Sequence, residues 1–266
     1  MEFEYRETTE DLQTRIDIHQ RYGSRDIDAW MLDLLKLQPG CQILDVGCGS
    51  GKQCLAVHKH LRGKAEITGG DLNAELLEEA RRRWQSVGGA IDIIELDFNR
   101  PFQLPEGSFD LVSCCFAIYY AADAQFTIGQ MHRVLKPGGR LFTTGPMPQN
   151  KALFYEVIQQ ATDRPIPPMP GSSRYNFEIR QAIEARFRAL QVELFENPLV
   201  FESLEPFLAY TRASLSEDRK LWRPLFETRE GFELVMQSIA QVAERRLAEE
   251  GRLVMTKVVG GFIATK

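Results

Sequence analysis

A chain of 266 residues, 44% hydrophobic and 26% charged, has the composition of a globular protein with room for a substantial core. Its formal net charge of −5 gives no support for nucleic acid as a partner. The densest basic run, Arg81-Arg82-Arg83, sits among Glu75, Glu78 and Glu79 in a helical pattern, as expected for a solvated face with i,i+4 pairing. The five cysteines, at 41, 48, 54, 114 and 115, show no CxxC or Cys/His pairing at zinc spacing. That argues against a disulfide framework and against a metal site. The start, MEFEYRETTEDLQ, is acidic and polar, and no apolar run reaches membrane-spanning length. A cytoplasmic chain with no leader and no membrane span is the expectation.

Two helices are predicted at the N-terminal end, over 8–21 and 25–37, broken at Gly23-Ser24 with Ser24 as the second N-cap. Ile27, Trp30, Met31, Leu34 and Leu35 keep the spacing of a buried stripe, and Pro39-Gly40 ends it. Strand 1 follows over 41–46, then Gly47-Cys48-Gly49-Ser50-Gly51, then a helix over 51–62. Strand 2 is read at 65–71, a helix at 73–87, strand 3 at 91–97, strand 4 at 109–116 and a helix at 124–135. Pro137-Gly138-Gly139 reads as a turn into strand 5 at 140–144. Strand–helix alternation with short connections means right-handed βαβ units and a parallel sheet covered on both faces.

After Gly145 the pattern changes. A short helix (151–162) precedes PIPPMPGSS, whose prolines predict irregular chain; a helix at 177–190 and a strand at 191–201 follow. Residues 203–251 read as helical with breaks near Ser216, Pro224 and Gly231, and the last helix aligns Phe232, Val235, Met236, Ile239, Val242 or Ala243, and Leu247. A strand at 252–265 closes the chain. One domain is expected, with N-terminal helices over 1–38 and a core over 39–145, 177–201 and 252–266. Helical cap insertions at 146–176 and 202–251 would cover the ligand edge of the sheet. The cap's Phe154, Tyr155, Phe207, Tyr210, Trp222, Phe226 and Phe232 suggest a medium-sized, partly hydrophobic ligand.

The chemistry gathers at the strand ends. Three alternating glycines after an apolar strand suit a loop that passes close to a ligand, with a helix N-terminus behind it. Asp71, at the end of strand 2, can accept hydrogen bonds from both hydroxyls of a ribose held over that loop. A dinucleotide fingerprint would need GxGxxG, and position 52 is Lys rather than Gly. Asp45 ahead of the loop favours instead a ligand that carries an α-amino group.

LDVGCGSG, the acid in GGDLN, the ELDFNRPFQLPEGSFDLVSC stretch and HRVLKPGGRLF resemble the successive motifs of class I S-adenosylmethionine-dependent methyltransferases, with the small-molecule branch the nearest match. The resemblance covers roughly residues 40–145 and the closing strands. It implies a doubly wound α/β fold of seven mostly parallel strands ordered 3-2-1-4-5-7-6, with strand 7 antiparallel. It implies S-adenosylmethionine as cofactor, with Asp45, Gly47, Cys48 and Gly49 on its methionine part and Gly51 holding the turn tight. Asp71 would take the ribose, Leu72 would pack by the adenine, Asp97 would accept the adenine amino group, and Phe98 would stack or donate its backbone N–H. Phe116 would begin the wall between cofactor and substrate, and Tyr22 would close over the cofactor carboxylate.

The acceptor is less defined. Relatives that methylate amino groups of nucleic-acid bases carry Asn/Asp-Pro-Pro-aromatic after strand 4; this chain has Phe116-Ala117-Ile118-Tyr119, and it lacks the Pro-Cys of cytosine C5 enzymes. A small organic acceptor, methylated on O, N or C, is therefore expected. Tyr119, Tyr120 and His19 are the candidate catalytic groups. His132 is expected to be structural, and His58 and His60 solvated. Two other classes fit parts of the pattern: a non-catalytic S-adenosylmethionine-binding protein, and an NAD(P)-dependent oxidoreductase on a similar sheet, which residue 52 disfavours. Oligomeric state is left open.

Overall fold

The structure is a computed structural model that describes residues 8–87, 91–167, 169–215 and 222–266. The chain divides into two compact units: Asp26–Pro148 with Pro170–Phe195 and Val259–Lys266, and Met1–Arg25 with Gln149–Met169 and Glu196–Val258.

The first unit is built on β1 (Gln42–Val46), β2 (Glu66–Asp71), β3 (Ile91–Glu95), β4 (Phe109–Cys115) and β5 (Leu135–Pro146). With β6 (Leu190–Phe201) and β7 (Leu253–Thr265) they make one seven-stranded sheet in the order β3-β2-β1-β4-β5-β7-β6, as the resemblance implies. β1 pairs in parallel with β2 and β4, β3 with β2 and β5 with β4, whereas β7 runs antiparallel to β5. This is the doubly wound α/β fold. β1 shows why: Ile43, Leu44, Asp45 and Val46 are all buried, which only a strand covered on both faces requires.

The helices of this unit are α2 (Ile27–Leu35), α3 (Lys52–His60), α4 (Ala74–Gln85) and α5 (Ala124–Val134), with the short α7 (Pro170–Arg174) and α8 (Arg180–Glu184). Met31, Leu35, Val57, Leu77, Ala80 and Trp84 carry their apolar stripes into the core beside Ile43, Ile67 and Phe142. Asn73 caps α4 by accepting from the Glu75 and Leu76 amides. Asp26, not Ser24, caps α2: its carboxylate accepts from the Asp28 and Ala29 amides, where an acid also meets the positive end of the helix dipole.

Three local readings change. Pro137-Gly138-Gly139 lies within β5 as an irregularity, because β4 advances from Phe109 to Leu111 while β5 advances from Leu135 to Arg140. The proline-rich stretch ends at Pro170, which opens α7, the first helical turn being where the missing N–H of proline does no harm. The helix expected over 177–190 is a π turn (Tyr175–Ile179) followed by α8, and it stops at Glu184. The π turn carries Tyr175, fully buried and stacked 4.4 Å from Phe262. Its hydroxyl donates to the carbonyl of Thr143 or of Gly260, at 2.9 and 3.2 Å. The Tyr175 ring lies against Gly145, where an added Cβ would come within 2.6 Å of it.

The second unit is helical: α1 (Thr9–Tyr22), α6 (Ala152–Thr162), α9 (Leu204–Ser214) and α10 (Arg229–Glu250). Thr8 and Asp11 form a capping box on α1. Gly231 does not break the last helix; its amide donates to the N-cap Thr228, so it lies in the first turn of α10. The break expected near Ser216 falls outside the described residues. The aromatic set read from the sequence as a ligand-facing surface is instead largely the core of this unit. Phe154, Phe207, Tyr210, Trp222, Phe226 and Phe232 are at most 4% exposed, and Tyr155 packs against them. Burying rings of that size offsets the small apolar area four helices would otherwise share.

Candidate cofactor site

Because β3, β2, β1 and β4 are parallel neighbours, their C-terminal ends meet along one edge, where doubly wound sheets bind ligands. Asp45, Asp71, the Asp97-Phe98 pair and Phe116 stand at or just beyond those four ends.

The loop after β1 needs its glycines. Gly47, Gly49 and Gly51 have φ of 71°, 55° and 74°, in the left-handed region that side chains disfavour. The amides of Gly47 and Cys48 both donate to the Gly70 carbonyl, at 2.7 and 3.0 Å, which ties the loop to the end of β2. The Gly49 amide donates to Asp71 Oδ2 at 2.8 Å, and Asp71 Oδ1 accepts from the Asn73 amide at 2.9 Å. A Cβ on Gly51 would come within 3.2 Å of Ala80 on α4, whereas one on Gly49 would meet open space. Lys52, where a dinucleotide site would place its third glycine, is ion-paired with Asp28 at 2.7 Å.

Asp45 is 3% exposed. Its parallel partner across the sheet is Ser113, whose hydroxyl donates to Oδ1 at 2.7 Å, and the Cys54 thiol lies 3.4 Å from Oδ2. Burial pushes its carboxyl up to about 6, against those two hydrogen bonds and with help from the Asp71 charge. A buried acid with two neutral partners and no cation from the described chain suits a ligand that brings a positive charge. Ser113 was missed from the sequence; the one signal was a hydroxyl inside the apolar run Leu111–Cys115.

At the far end, Asp97 accepts from the Asn99 amide at 2.9 Å and pairs with Arg100 at 3.4 Å. Leu72, 58% exposed, and Asp97 help line a cavity of about 580 Å³ that continues along Leu96 and Arg100–Leu104. The Phe98 ring stands 3.8 Å from where a Gly47 Cβ would lie, and its carbonyl accepts from the Thr127 hydroxyl. Phe116, at φ 57°, is a non-glycine residue held left-handed, a strain that clusters at functional sites. The turn after it (Ile118–Tyr120) sets the Tyr119 and Tyr120 rings 4.7 Å apart, with Tyr120 71% exposed. Arg174 clamps this turn by donating to the Tyr119 and Ala122 carbonyls, and Asn99 accepts from the Ala122 amide. Neither clamp was visible in the sequence, because each joins residues more than twenty positions apart.

The first unit thus brings together every residue expected at the site except two. Tyr22 and His19 belong to the helical unit. Tyr22 is half-buried, 5.1 Å from Phe201, with the Arg21 guanidinium 5.6 Å from its ring. His19, a candidate catalytic group in the sequence, packs edge-on to Tyr210 at 5.5 Å, and burial lowers its imidazole to about 3, far below the range of a base that works near neutral pH. His132 packs edge-on to Phe187. His58, expected to be solvated, packs on Trp84 at 5.4 Å, while His60 is exposed. Burial pushes the Cys114 and Cys115 thiols up, away from nucleophilic thiolate.

A doubly wound sheet with this loop at its edge defines a nucleotide-type binding protein. Residues 43–139 match the family described as a methyltransferase domain. The demethylmenaquinone methyltransferase of Thermus thermophilus is 32% identical over 169 residues, 63% of this chain and 72% of that protein. The ubiquinone/menaquinone biosynthesis C-methyltransferase UbiE of Desulfotalea psychrophila is 33% identical over 123 residues, 46% of this chain and 48% of that protein, so about half of the latter is spanned. The crystal structure of the YcgJ protein from Bacillus subtilis shares the fold, with a TM-score of 0.58 at 15% identity over 90% of this chain and 97% of that one. The chain belongs to the class I S-adenosylmethionine-dependent methyltransferases. Its cofactor is S-adenosylmethionine.

Proposed function

We propose that this methyltransferase acts on a partly apolar, ring-containing acceptor, of the kind named for the Thermus and Desulfotalea relatives, and not on nucleic acid. The observation that carries the reading is the paired Tyr119 and Tyr120 rings. They follow the strained Phe116 on the strand next to the one that feeds the glycine loop. Aromatic faces of that kind hold a flat apolar ring.

S-adenosylmethionine supplies a methyl group on a sulfonium, which leaves by in-line displacement. In this reading Asp45 faces the amino group of the methionine part, Gly47, Cys48 and Gly49 leave room for its chain, and Gly51 keeps the turn. Asp71 accepts from the ribose, Leu72 and Phe98 cover the adenine, and Asp97 accepts from its amino group. The open space over Gly49 and the buried charge of Asp45 both fit that ligand. Phe116 separates cofactor from acceptor, and the two tyrosines orient the ring so that the accepting atom lies on the S–CH3 axis. Positioning and exclusion of water supply much of the rate in such a transfer. The cytoplasmic location is part of the same proposal; among the described residues no helix is long and apolar enough to cross a membrane.

The test is transfer from methyl-labelled S-adenosylmethionine to a panel of quinols, catechols, aliphatic amines and duplex DNA. Label is expected on ring acceptors and absent from DNA. Tyr120→Ala is expected to raise KM for the ring acceptor about tenfold, with a smaller change in kcat, as for loss of one stacked contact. Tight cofactor binding with no S-adenosylhomocysteine from any acceptor would identify a binding protein instead.

A further inference from the structure

Asp45 and Ser113 face each other across the sheet. They are register partners on the parallel pair β1 and β4, and each is 3% exposed. Ser113 sits in apolar company: Leu111, Val112 and Cys114 beside it on β4 are buried, and a hydroxyl among them needs an acceptor. Two acceptors lie within reach of its proton, the Leu44 carbonyl at 3.5 Å and Asp45 Oδ1 at 2.7 Å. The second is much the shorter and is a carboxylate oxygen, so it takes the proton. On the other side of β1, Asp45 is in register with Gly69 of β2, which has no side chain to offer. Nor is there room for one, since an added Cβ would meet Cys48 Sγ at 3.1 Å and Cys54 Sγ at 3.3 Å.

The other groups around this carboxyl do little to keep it charged. Burial disfavours the ionised form, and so does the like charge of Asp71 at the end of β2. Cys54, which reaches it from α3 and itself contacts Cys48, is a weak thiol donor at 3.4 Å. Cys114 and Cys115, on β4 with Ser113, are thiols that burial holds uncharged. With both hydrogen bonds in place the carboxyl of Asp45 stands at about 6, so it is ionised at neutral pH by a narrow margin. A hydrogen bond donated to a carboxylate favours the ionised form, and removing it lets a buried acid take up a proton at higher pH. A protonated Asp45 carries no charge for an ammonium group to meet.

We propose that Ser113 is a positioning residue for S-adenosylmethionine binding, its hydroxyl keeping Asp45 ionised at physiological pH to receive the amino group of the cofactor. The proposal rests on the reading that Asp45 faces that amino group. Ser113 acts through Asp45 alone.

The experiment is calorimetric titration of S-adenosylmethionine into the full-length parent, Ser113→Ala, Ser113→Thr and Asp45→Asn at pH 5, 6, 7 and 8, with thermal melts to confirm folding. The ratio of variant to parent affinity at each pH cancels the titration of the ligand and of Asp71. Ser113→Ala is expected to bind within about twofold of the parent at pH 8 and to fall behind as pH drops, reaching about tenfold weaker at pH 5. The sign follows from the lost donor: on acidification the variant gives up its carboxylate before the parent does. Ser113→Thr keeps the hydroxyl and is expected to follow the parent's profile. Should Ser113→Ala not fold, Ser113→Val, matched in shape to Ser113→Thr, repeats the comparison of hydroxyl against none. An equal deficit at every pH, or no deficit, beside an Asp45→Asn protein that binds weakly overturns the role of Ser113 and leaves Asp45 at the amino group. Full affinity in Asp45→Asn overturns both.

Discussion

Substituting asparagine for Asp45 is expected to stabilise the cofactor-free protein at pH 8 while removing most of its affinity for S-adenosylmethionine. The carboxyl is buried, hydrogen-bonded by Ser113 and Cys54, and raised to about 6 from an ordinary 3.8. A group whose folded-state pKa lies above its unfolded value stabilises the fold fully only below the unfolded value. That contribution is lost as pH climbs through the folded one. Between pH 4 and 6 the folded protein therefore loses the advantage of a protonated Asp45, an effect of about 3 kcal/mol by the size of the shift. Asparagine has the same shape and no charge to desolvate. Thermal unfolding across pH 4 to 8 should show the variant gaining on the parent as pH rises, with the gap levelling off above 6. Parallel curves would mean that the carboxyl is not held in the state described. Cofactor affinity should move the other way. A cationic amino group at Asp45 favours the ionised acid, so affinity rises with pH up to about tenfold per unit below 6 and levels above it.

Alanine at Gly47 is expected to lower stability by about 2 kcal/mol or more and to remove cofactor binding. The new Cβ would lie 2.6 Å from the Ala117 Cβ, on a residue at φ 71°. Neither neighbour can yield cheaply. Gly47 and Cys48 share the Gly70 carbonyl, and Ala117 follows the strained Phe116. Alanine at Gly49 makes the contrast. Its φ of 55° carries a similar backbone strain, but its Cβ meets nothing in the protein. That variant should fold and still bind S-adenosylmethionine poorly, because the methyl group occupies room the ligand needs. Full affinity in a folded Gly49→Ala protein would mean that the cofactor does not pass over the loop.

The sheet was legible in the sequence because its signals are local. Apolar strands end in acids or glycines, helices carry 3,4-spaced stripes, and the glycine loop and Asp71 stand where the chain's own order puts them. What escaped the sequence depends on distant partners. Ser113 reaches Asp45 across 68 positions, and Asn99 reaches the turn at Ala122 across 23. The π turn at Tyr175 exists because that ring fits against Gly145 and Gly260, which nothing near residue 175 announces. The aromatic residues after residue 150 misled for the opposite reason. Large rings at helical spacing look the same whether they face a ligand or pack on each other, and here most are core. His19 was ambiguous in the same way, since a histidine on an amphipathic helix does not reveal its depth.

The account rests most directly on Asp71, whose carboxylate already accepts from the Gly49 and Asn73 amides at the edge of the sheet. The decisive measurement is calorimetric titration of S-adenosylmethionine into the parent protein and Asp71→Ala side by side. Loss of hydrogen bonds between a ribose and a charged acceptor predicts a Kd weakened about ten- to a hundredfold, in a variant that still folds. Equal affinities in the two proteins would contradict the ribose assignment and, with it, the placement of the cofactor over the glycine loop.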